Sequence, residues 1–211
     1  MTTSCADLYA AKLTTAEKAV AGVPDGATVS LGMAIGQPPA LLAALAGRLR
    51  SNDLKQIRLY YKIAMEPLAK SLLAEDVIEK VDAHSFFIGG PDHEIIKRQV
   101  KTGKKLLSFV PVNFSQIPRL FEEIIALDTF IVTVSPMDGG GFFSLGTNND
   151  FASTAARRCK RLIVEVNRNM PRVFGQSQIH VSEVAAIVEN HVPLIEAGVA
   201  EPSPEGRAIG A

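Results

Sequence analysis

The fold is decided by the stretch TFIVTVSPMDGGGFFSLGTNND, which runs from Thr129 to Asp150. Its first six residues form a mostly apolar run that predicts a buried strand. Three consecutive glycines, Gly139 to Gly141, follow this strand, and glycine backbone can adopt a positive φ or approach a ligand closely. Because open α/β sheets bind ligands at the carboxyl ends of their strands, this loop is a candidate binding site. The same residues would also suit a long hairpin turn without chemistry, and the glycines alone do not decide between the two.

Strand-like and helix-like segments alternate along the rest of the chain. The predicted strands cover residues 28–31, 57–63, 83–88, 106–110, 129–134 and 162–166. The predicted helices cover residues 14–22, 66–74, 92–103, 117–125 and 151–158, and one more begins at Pro38 and Pro39. The strands are rich in branched apolar residues and lack strict alternation, which is typical of strands covered on both faces. The sequence therefore predicts an α/β fold with an open, mainly parallel sheet and helices on both faces. Residues 182–190 fit either a helical turn or a short strand.

Composition and charge narrow the classes of protein to which the chain can belong. Of its 211 residues, 47% are hydrophobic, which is enough for a proper core. Lysine plus arginine equals aspartate plus glutamate at 22 each, so no basic surface for nucleic acid is indicated. The apolar runs are too short to cross a membrane, and the N-terminus lacks the layout of a signal peptide. We expect a soluble, cytoplasmic protein without a metal site, because the cysteines and histidines show no ligand spacing.

A second glycine-bearing loop, SLGMAIGQPP, runs from Ser30 to Pro39 between the first predicted strand and a helix. Its backbone N–H groups and the helix dipole can face an anion or a polar acyl group. The two glycines, Gly32 and Gly36, match neither the GxGxxG fingerprint of dinucleotide-binding proteins nor a Walker motif, so nucleotide binding is disfavoured. Gln37 is the side chain best placed to donate a hydrogen bond to a carbonyl oxygen, unless it is an ordinary solvated residue.

Four stretches of the chain together resemble the acetyl-CoA hydrolase/transferase family, the family-I coenzyme A transferases. They are VSLGMAIGQPPALLAAL, VPVNFSQIPRLF, SPMDGGGFFSLGTNND and RLIVEVNRNMPRVFGQSQIHVSEVAAIVE, and the resemblance covers residues 8–196. It implies an enzyme of two similar α/β domains that moves coenzyme A between carboxylic acids at a site between the domains. The resemblance further implies an acyl-glutamyl anhydride and a glutamyl-CoA thioester, formed on a glutamate of the C-terminal half.

This chain resembles only the N-terminal half of such an enzyme. Residues 1–196 correspond to a CoA-transferase N-terminal domain, and residues 197–211, AGVAEPSPEGRAIGA, resemble the interdomain linker. The resemblance therefore implies no catalytic residue in this chain, no bound cofactor, and coenzyme A or acyl-CoA as a substrate. The expected partners are a short-chain carboxylic acid, the C-terminal domain of the same enzyme and, at full length, further copies in a homo-oligomer.

The resemblance and the loop positions together give eleven candidate substrate-binding residues. They are Met33, Gly36, Gln37, Pro38, Met137, Gly139, Gly140, Gly141, Phe142, Asn167 and Met170. Gly36 and Gln37 would either face the oxyanion that forms when a carboxylate attacks a thioester or hold the acid substrate, and Phe142 would contact a short acyl chain. Asp138 either caps the glycine turn or belongs to the site. Glu165, on a predicted strand, either orients a site residue or is satisfied within the sheet.

Three other functions are compatible with the sequence. An acetyl-CoA hydrolase of the same family would pass the acyl group to water. A solitary domain without the nucleophile would bind an acid or acyl-CoA without reaction. A two-subunit enzyme would receive the glutamate from a partner chain.

Overall fold

A seven-stranded parallel sheet lies at the centre of the computed structural model, which describes residues 4–196 and 201–210. Its strands are Thr28–Leu31 (β1), Ile57–Tyr61 (β2), Val81–Ser85 (β3), Leu107–Phe109 (β4), Thr129–Val134 (β5), Arg161–Val166 (β7) and Ala186–Glu189 (β9). Two further strands, Phe142–Ser144 (β6) and Gln178–His180 (β8), pair antiparallel outside this sheet. The order across the sheet is β4-β3-β2-β1-β5-β7-β9, and all neighbours are parallel. The predicted α/β fold is confirmed.

Helices connect most of these strands. In the described part of the chain they are Cys5–Lys12 (α1), Ala16–Ala21 (α2), Pro39–Arg50 (α3), Glu66–Ala69 (α4), Gly90–Thr102 (α5), Ile117–Glu123 (α6), Ala152–Arg158 (α7) and Pro204–Gly210 (α8). The longer helix α3 begins with Pro39 at its first position, where the missing N–H of proline costs nothing. Helix α5 ends at Gly103, whose φ of 68° closes the helix in the left-handed conformation.

Both faces of the sheet are buried, which explains the absence of polar alternation in the strands. All six residues of β5 are buried. Phe130 and Val132 pack with residues of α6 and α7 on one face, whereas Ile131 packs with α3 on the other. The layers on the two faces therefore hold the carboxyl ends of the central strands in fixed positions.

The structure corrects several predicted boundaries. The second strand ends at Tyr61 rather than at residue 63, because Ile63 has a φ of 53° that no strand residue adopts. The helix predicted over residues 66–74 ends at Ala69, and the one over 117–125 ends at Glu123. Residues 182–190 contain both alternatives, since a 3₁₀ turn at Val181–Glu183 precedes β9. The sequence prediction missed α1 and both strands of the antiparallel pair.

The end of the chain contains α8, which the sequence did not predict. All of the described residues 201–210 are exposed. Residues 197–200 and 211 of the predicted linker lie outside the described residues, and the division at residue 196 stays a prediction. No helix in the described part of the chain combines the length and apolar character needed to cross a bilayer.

Candidate functional site

The winding of the sheet reverses at β1, its central strand. The chain proceeds from β1 outward through β2, β3 and β4, and then returns to place β5 on the other side of β1. Such a reversal is the topological switch point at which open α/β sheets bind ligands, outside the carboxyl ends of the strands. Both glycine-bearing loops leave the sheet here, one after Leu31 and the other after Val134.

A cavity of about 260 Å³ opens at this edge of the sheet. Its polar lining residues are Gln37, Thr133 and Asn167. The apolar part of the lining consists of Ile35, Pro39, Pro67 and residues 192–195. Two of the eleven predicted residues, Gln37 and Asn167, therefore line one cavity at the switch point.

Gln37 connects the loop after β1 to β5 and to the loop after β2 through hydrogen bonds. It is 2% exposed, so it is not an ordinary solvated residue. Its Nε2 donates to the carbonyl oxygen of Ile63 at 2.8 Å, and its Oε1 accepts from the backbone N–H of Met65 at 3.2 Å. Its own carbonyl oxygen accepts from the hydroxyl of Thr133 at 3.1 Å. Because Nε2 carries two protons and these contacts use one, donation by Gln37 to a carbonyl oxygen stays a prediction.

Strained backbone lies on both sides of Gln37. Ala34, in the loop after β1, has a φ of 46°, and Ile63, in the loop after β2, has a φ of 53°. The left-handed region is unfavourable for residues with a side chain, and especially so for a β-branched residue such as isoleucine. Each such residue costs about 1–3 kcal/mol and persists only where its surroundings hold it, which is common at binding sites. The hydrogen bond from Gln37 to Ile63 is one such restraint.

Glu165 fixes the start of α3 at the same edge. This side chain is 1% exposed, and burial raises the pKa of its carboxyl group. Its Oε2 accepts from the backbone N–H of Leu41 at 3.0 Å, and its Oε1 accepts from Nδ2 of Asn190 at 2.7 Å. The carboxylate thus occupies the positive N-terminal end of α3, where no side chain of the helix itself provides a cap. Of the two roles left open by the sequence, the structure shows a glutamate satisfied within the fold.

Asn167 anchors the segment that closes one side of the cavity. Its Nδ2 donates to the carbonyl oxygen of Val192 at 2.8 Å, and its Oδ1 accepts from the backbone N–H of Asn169 at 2.9 Å. The bond to Val192 attaches residues 192–195 to the wall of the cavity that Gln37 also lines. Met170 lies elsewhere, because it is buried against Gly146 and is not part of the cavity lining.

The triple glycine does not reach this cavity. It forms the turn into β6, in which Oδ1 of Asp138 accepts from the backbone N–H groups of Gly140 at 2.9 Å and Phe142 at 2.8 Å. Gly141 has a φ of 87°, and a Cβ there would lie 2.5 Å from Sγ of Cys5. The loop therefore forms a tight turn that Asp138 caps, and substrate binding by its glycines stays a prediction. The second carboxylate oxygen of Asp138 pairs with Arg172, which is thereby engaged within the protein.

The other predicted residues lie around the cavity and the glycine turn rather than together in one site. Met33 and Met137 are partly buried against the apolar cluster that contains Phe130. Pro38 is buried and immediately precedes α3, whereas Gly139 and Gly140 are exposed. The ring of Phe142 packs against the imidazole of His180 at 4.9 Å between centroids, instead of forming a wall of the cavity.

The glycines of the first loop have a steric role. A Cβ on Gly36 would lie 2.1 Å from Nδ2 of Asn148, and one on Gly32 would lie 2.8 Å from the same atom. Asn148 is 2% exposed, and neither its Nδ2 nor its Oδ1 has a hydrogen-bond partner among the described residues. The loop thus packs directly on a buried amide that the fold leaves unsatisfied.

Two charged side chains interact in this region: Asp150, which lies two residues after Asn148, and Lys62. Oδ1 of Asp150 accepts from the backbone N–H of Ala152 at 2.9 Å, while its buried Oδ2 has no partner in the described structure. Burial raises the pKa of Asp150 to about 6. Lys62 directly follows β2, and its ammonium group lies 3.0 Å above the ring centroid of Phe114. Burial lowers the pKa of Lys62, and the negative charge of Asp150 partly opposes this shift.

Sequence reasoning missed Thr133, Lys62 and Asn148. Lys62 had a usable signal, because it is the first residue after a strand end at the ligand-binding edge. Thr133 is a polar residue near the end of a buried strand, which is a weaker signal of the same kind. Asn148 lies in a loop and gave no local signal, and the helix that follows is capped by Asp150, which accepts from the N–H of Ala152.

Comparison with known proteins identifies what the chain is similar to. The family model described as acetyl-CoA hydrolase/transferase N-terminal domain matches residues 3–196. A 4-hydroxybutyrate coenzyme A transferase from Clostridium kluyveri is 33% identical over 192 residues, which are 90% of this chain and 42% of that protein. A butyryl-CoA:acetate CoA-transferase from Anaerostipes caccae is 32% identical, with 89% of this chain and 41% of that protein covered.

A solved structure supports the same relationship. The crystal structure of RipA from Yersinia pestis superposes with a TM-score of 0.93 at 45% identity. The match covers 95% of this chain and 46% of that one. The chain therefore spans less than half the length of the relatives that it matches.

Proposed function

The chain belongs to the acetyl-CoA hydrolase/transferase family through its N-terminal domain, and we propose that it forms the acid-binding half of an acyl-CoA:carboxylate CoA-transferase. In this proposal the complete enzyme moves coenzyme A between short-chain carboxylic acids through a glutamyl-CoA thioester. The C-terminal domain supplies the glutamate, and acyl-CoA is a substrate rather than a resident cofactor. The matched relatives are CoA-transferases more than twice as long as the matched region, which supports this division of labour.

The switch-point cavity is the observation that carries the proposal. Apolar walls and about 260 Å³ of space suit a short hydrocarbon chain, and three polar groups lie in the lining. Attack of a carboxylate on a thioester creates an oxyanion, and one well-placed donor lowers such a barrier by about 3 kcal/mol. Gln37, held in place by Ile63, Met65 and Thr133, is the donor proposed for this role.

Among the described glutamates, the buried one is not free to act as the nucleophile. Glu165 is the buried one, and both of its oxygens accept hydrogen bonds from the protein. A nucleophile must instead present a free oxygen to the substrate. We therefore propose that residues 1–211 alone are inactive. We also propose that the complete protein acts as a homo-oligomer in the cytoplasm.

The test is CoA exchange measured with the complete protein and with residues 1–211 separately. We expect the complete protein to transfer coenzyme A from acyl-CoA to short acids and to form an adduct sensitive to hydroxylamine or borohydride. Residues 1–211 should show neither property. An adduct on residues 1–211 would mean that the nucleophile has been misplaced.

Hydrolysis of acetyl-CoA is the second candidate, because the matched family includes hydrolases. The two activities separate when the same preparation is assayed with and without an acceptor acid. Release of free coenzyme A that does not depend on the acceptor would favour the hydrolase. Formation of a new acyl-CoA only when an acceptor is present would favour the transferase.

A further inference from the structure

Asn148 is a buried amide for which the fold provides no partner. Both of its polar side-chain atoms lack hydrogen bonds in the described structure, although the residue is only 2% exposed to solvent. Buried polar groups are nearly always satisfied, and the exceptions call for a functional explanation or a bound molecule. Leaving an amide unsatisfied is costly, so a ligand that satisfies it gains affinity.

The loop that covers Asn148 is built for close approach and for movement. Gly32 and Gly36 allow the backbone to touch the amide, since a Cβ at either position would overlap with Nδ2. Ala34, between these glycines, is in the strained left-handed region with a φ of 46°. Asn148 is buried beneath this loop, so a ligand reaches it only when the loop shifts, and a shift that releases Ala34 from the left-handed region recovers part of its strain.

A cation lies at the same edge of the sheet. Lys62 follows β2 directly, and β2 is the parallel neighbour of β1, from which the glycine loop leaves. None of the ion pairs between described residues uses Lys62, whose ammonium group instead lies over the ring of Phe114. An amide N–H together with an ammonium group is a donor set that suits a carboxylate.

We propose that Asn148 and Lys62 bind the carboxylate group of the acid substrate after the loop of residues 32–36 shifts. This inference rests on the transferase function proposed above and names the residues that hold the acid. Nδ2 of Asn148 and Nζ of Lys62 donate to the carboxylate oxygens, and the displaced loop closes over the bound acid. Asp150 is the neighbouring negative charge, so its ionised form opposes binding at this position.

The test is steady-state kinetics of the complete protein with acetate and butyrate as acceptor acids. Loss of one hydrogen bond to a charged group corresponds to about a 10- to 100-fold effect, so Asn148→Ala should raise the KM for the acid by that factor. Lys62→Met should raise the same KM at least about tenfold. Asp150→Asn should lower it severalfold, because it removes the opposing charge. The KM for acyl-CoA should change less than the KM for the acid in each variant.

Matched controls lie beside each position. Asn149 is the exposed neighbour of Asn148, and Lys70 is an exposed lysine that pairs with Glu66 on α4. Asn149→Ala and Lys70→Met should leave both KM values unchanged.

The outcomes separate the two proposals. If Asn148→Ala and Lys62→Met fold but leave the KM for the acid within twofold of the control variants, this inference is wrong while the transferase function stands. If the unmodified complete protein transfers coenzyme A to no acid, the proposed function fails and the inference fails with it. Should Asn148→Ala not fold, Asn148→Asp provides the same test, because a second negative charge should raise the KM for the acid still further.

Discussion

Replacing Glu165 with alanine tests whether one buried carboxylate holds α3 at the switch point. Oε2 accepts from the N–H of Leu41 at 3.0 Å, and Oε1 accepts from Nδ2 of Asn190 at 2.7 Å. Alanine leaves both donors without an acceptor, and each buried donor left unsatisfied costs about 1–3 kcal/mol. Burial disfavours the charged form of this carboxyl group and raises its pKa, so its removal also recovers a desolvation penalty that offsets part of this cost. We therefore expect the free energy of unfolding to fall by about 3 kcal/mol.

Equilibrium urea denaturation of the 211-residue chain at pH 7 measures this change. Glu165→Gln retains one acceptor oxygen and should lose about half as much stability. The control is Glu94→Ala on α5, where the glutamate is 72% exposed and pairs with Lys97. Exposed pairs contribute less than about 1 kcal/mol, so this variant should stay close to the unmodified chain. If Glu165→Ala lost no more stability than Glu94→Ala, the carboxylate would not be holding the helix.

Four further predictions concern single residues. Gly36→Ala places a Cβ 2.1 Å from Nδ2 of Asn148 and should lower the midpoint of thermal unfolding, at a cost of about 1–3 kcal/mol. Gly47→Ala, where a Cβ in the interior of α3 meets nothing within 4 Å, should stabilise by about 0.5–1 kcal/mol in the same assay. Burial raises the pKa of Asp150 from 3.8 to about 6, so its contribution to stability is present below pH 3.8 and lost as the pH rises through 6. Between pH 4 and pH 7 the free energy of unfolding should therefore fall by up to about 3 kcal/mol more in the unmodified chain than in Asp150→Asn. An equal fall in both proteins would contradict the assignment. Burial raises the pKa of the Cys159 thiol to about 11, so iodoacetamide should alkylate it at pH 8 more slowly than free cysteine, and an equal rate would show that the thiol is accessible.

Much of the fold could be predicted from the sequence because its strands are covered on both faces. Such strands appear as continuous apolar runs, and the run at Thr129–Val134 matches β5 residue for residue. The short strands of the antiparallel pair gave no such signal. Each has three residues, and Phe142–Ser144 lies inside a glycine-rich segment that reads as a turn. Length alone does not separate the two groups, because β4 also has three residues and was predicted from the apolar run around it.

The candidate site could be predicted only in part, because sequence shows which residues leave a strand but not where the chain goes next. The loop after β1 stays at the switch point, and Gln37 is found there as expected. The loop after β5 instead runs into the antiparallel pair, which carries Gly141 away to α1 and Cys5. Asn148 lies further along the same segment and contacts Gly32 and Gly36 of the first loop. No local sequence pattern encodes this contact.

The polar groups at the switch point fall into two sets with different structural roles. Gln37, Asn167 and Glu165 bond to backbone groups of neighbouring segments, so they fix the loops and the start of α3. Asn148 has no such bonds in the described structure, although it is just as buried. Satisfied groups beside one unsatisfied amide are the arrangement expected of a binding site, because they hold the surrounding segments and leave the loop of residues 32–36 as the part that moves when a ligand reaches the amide.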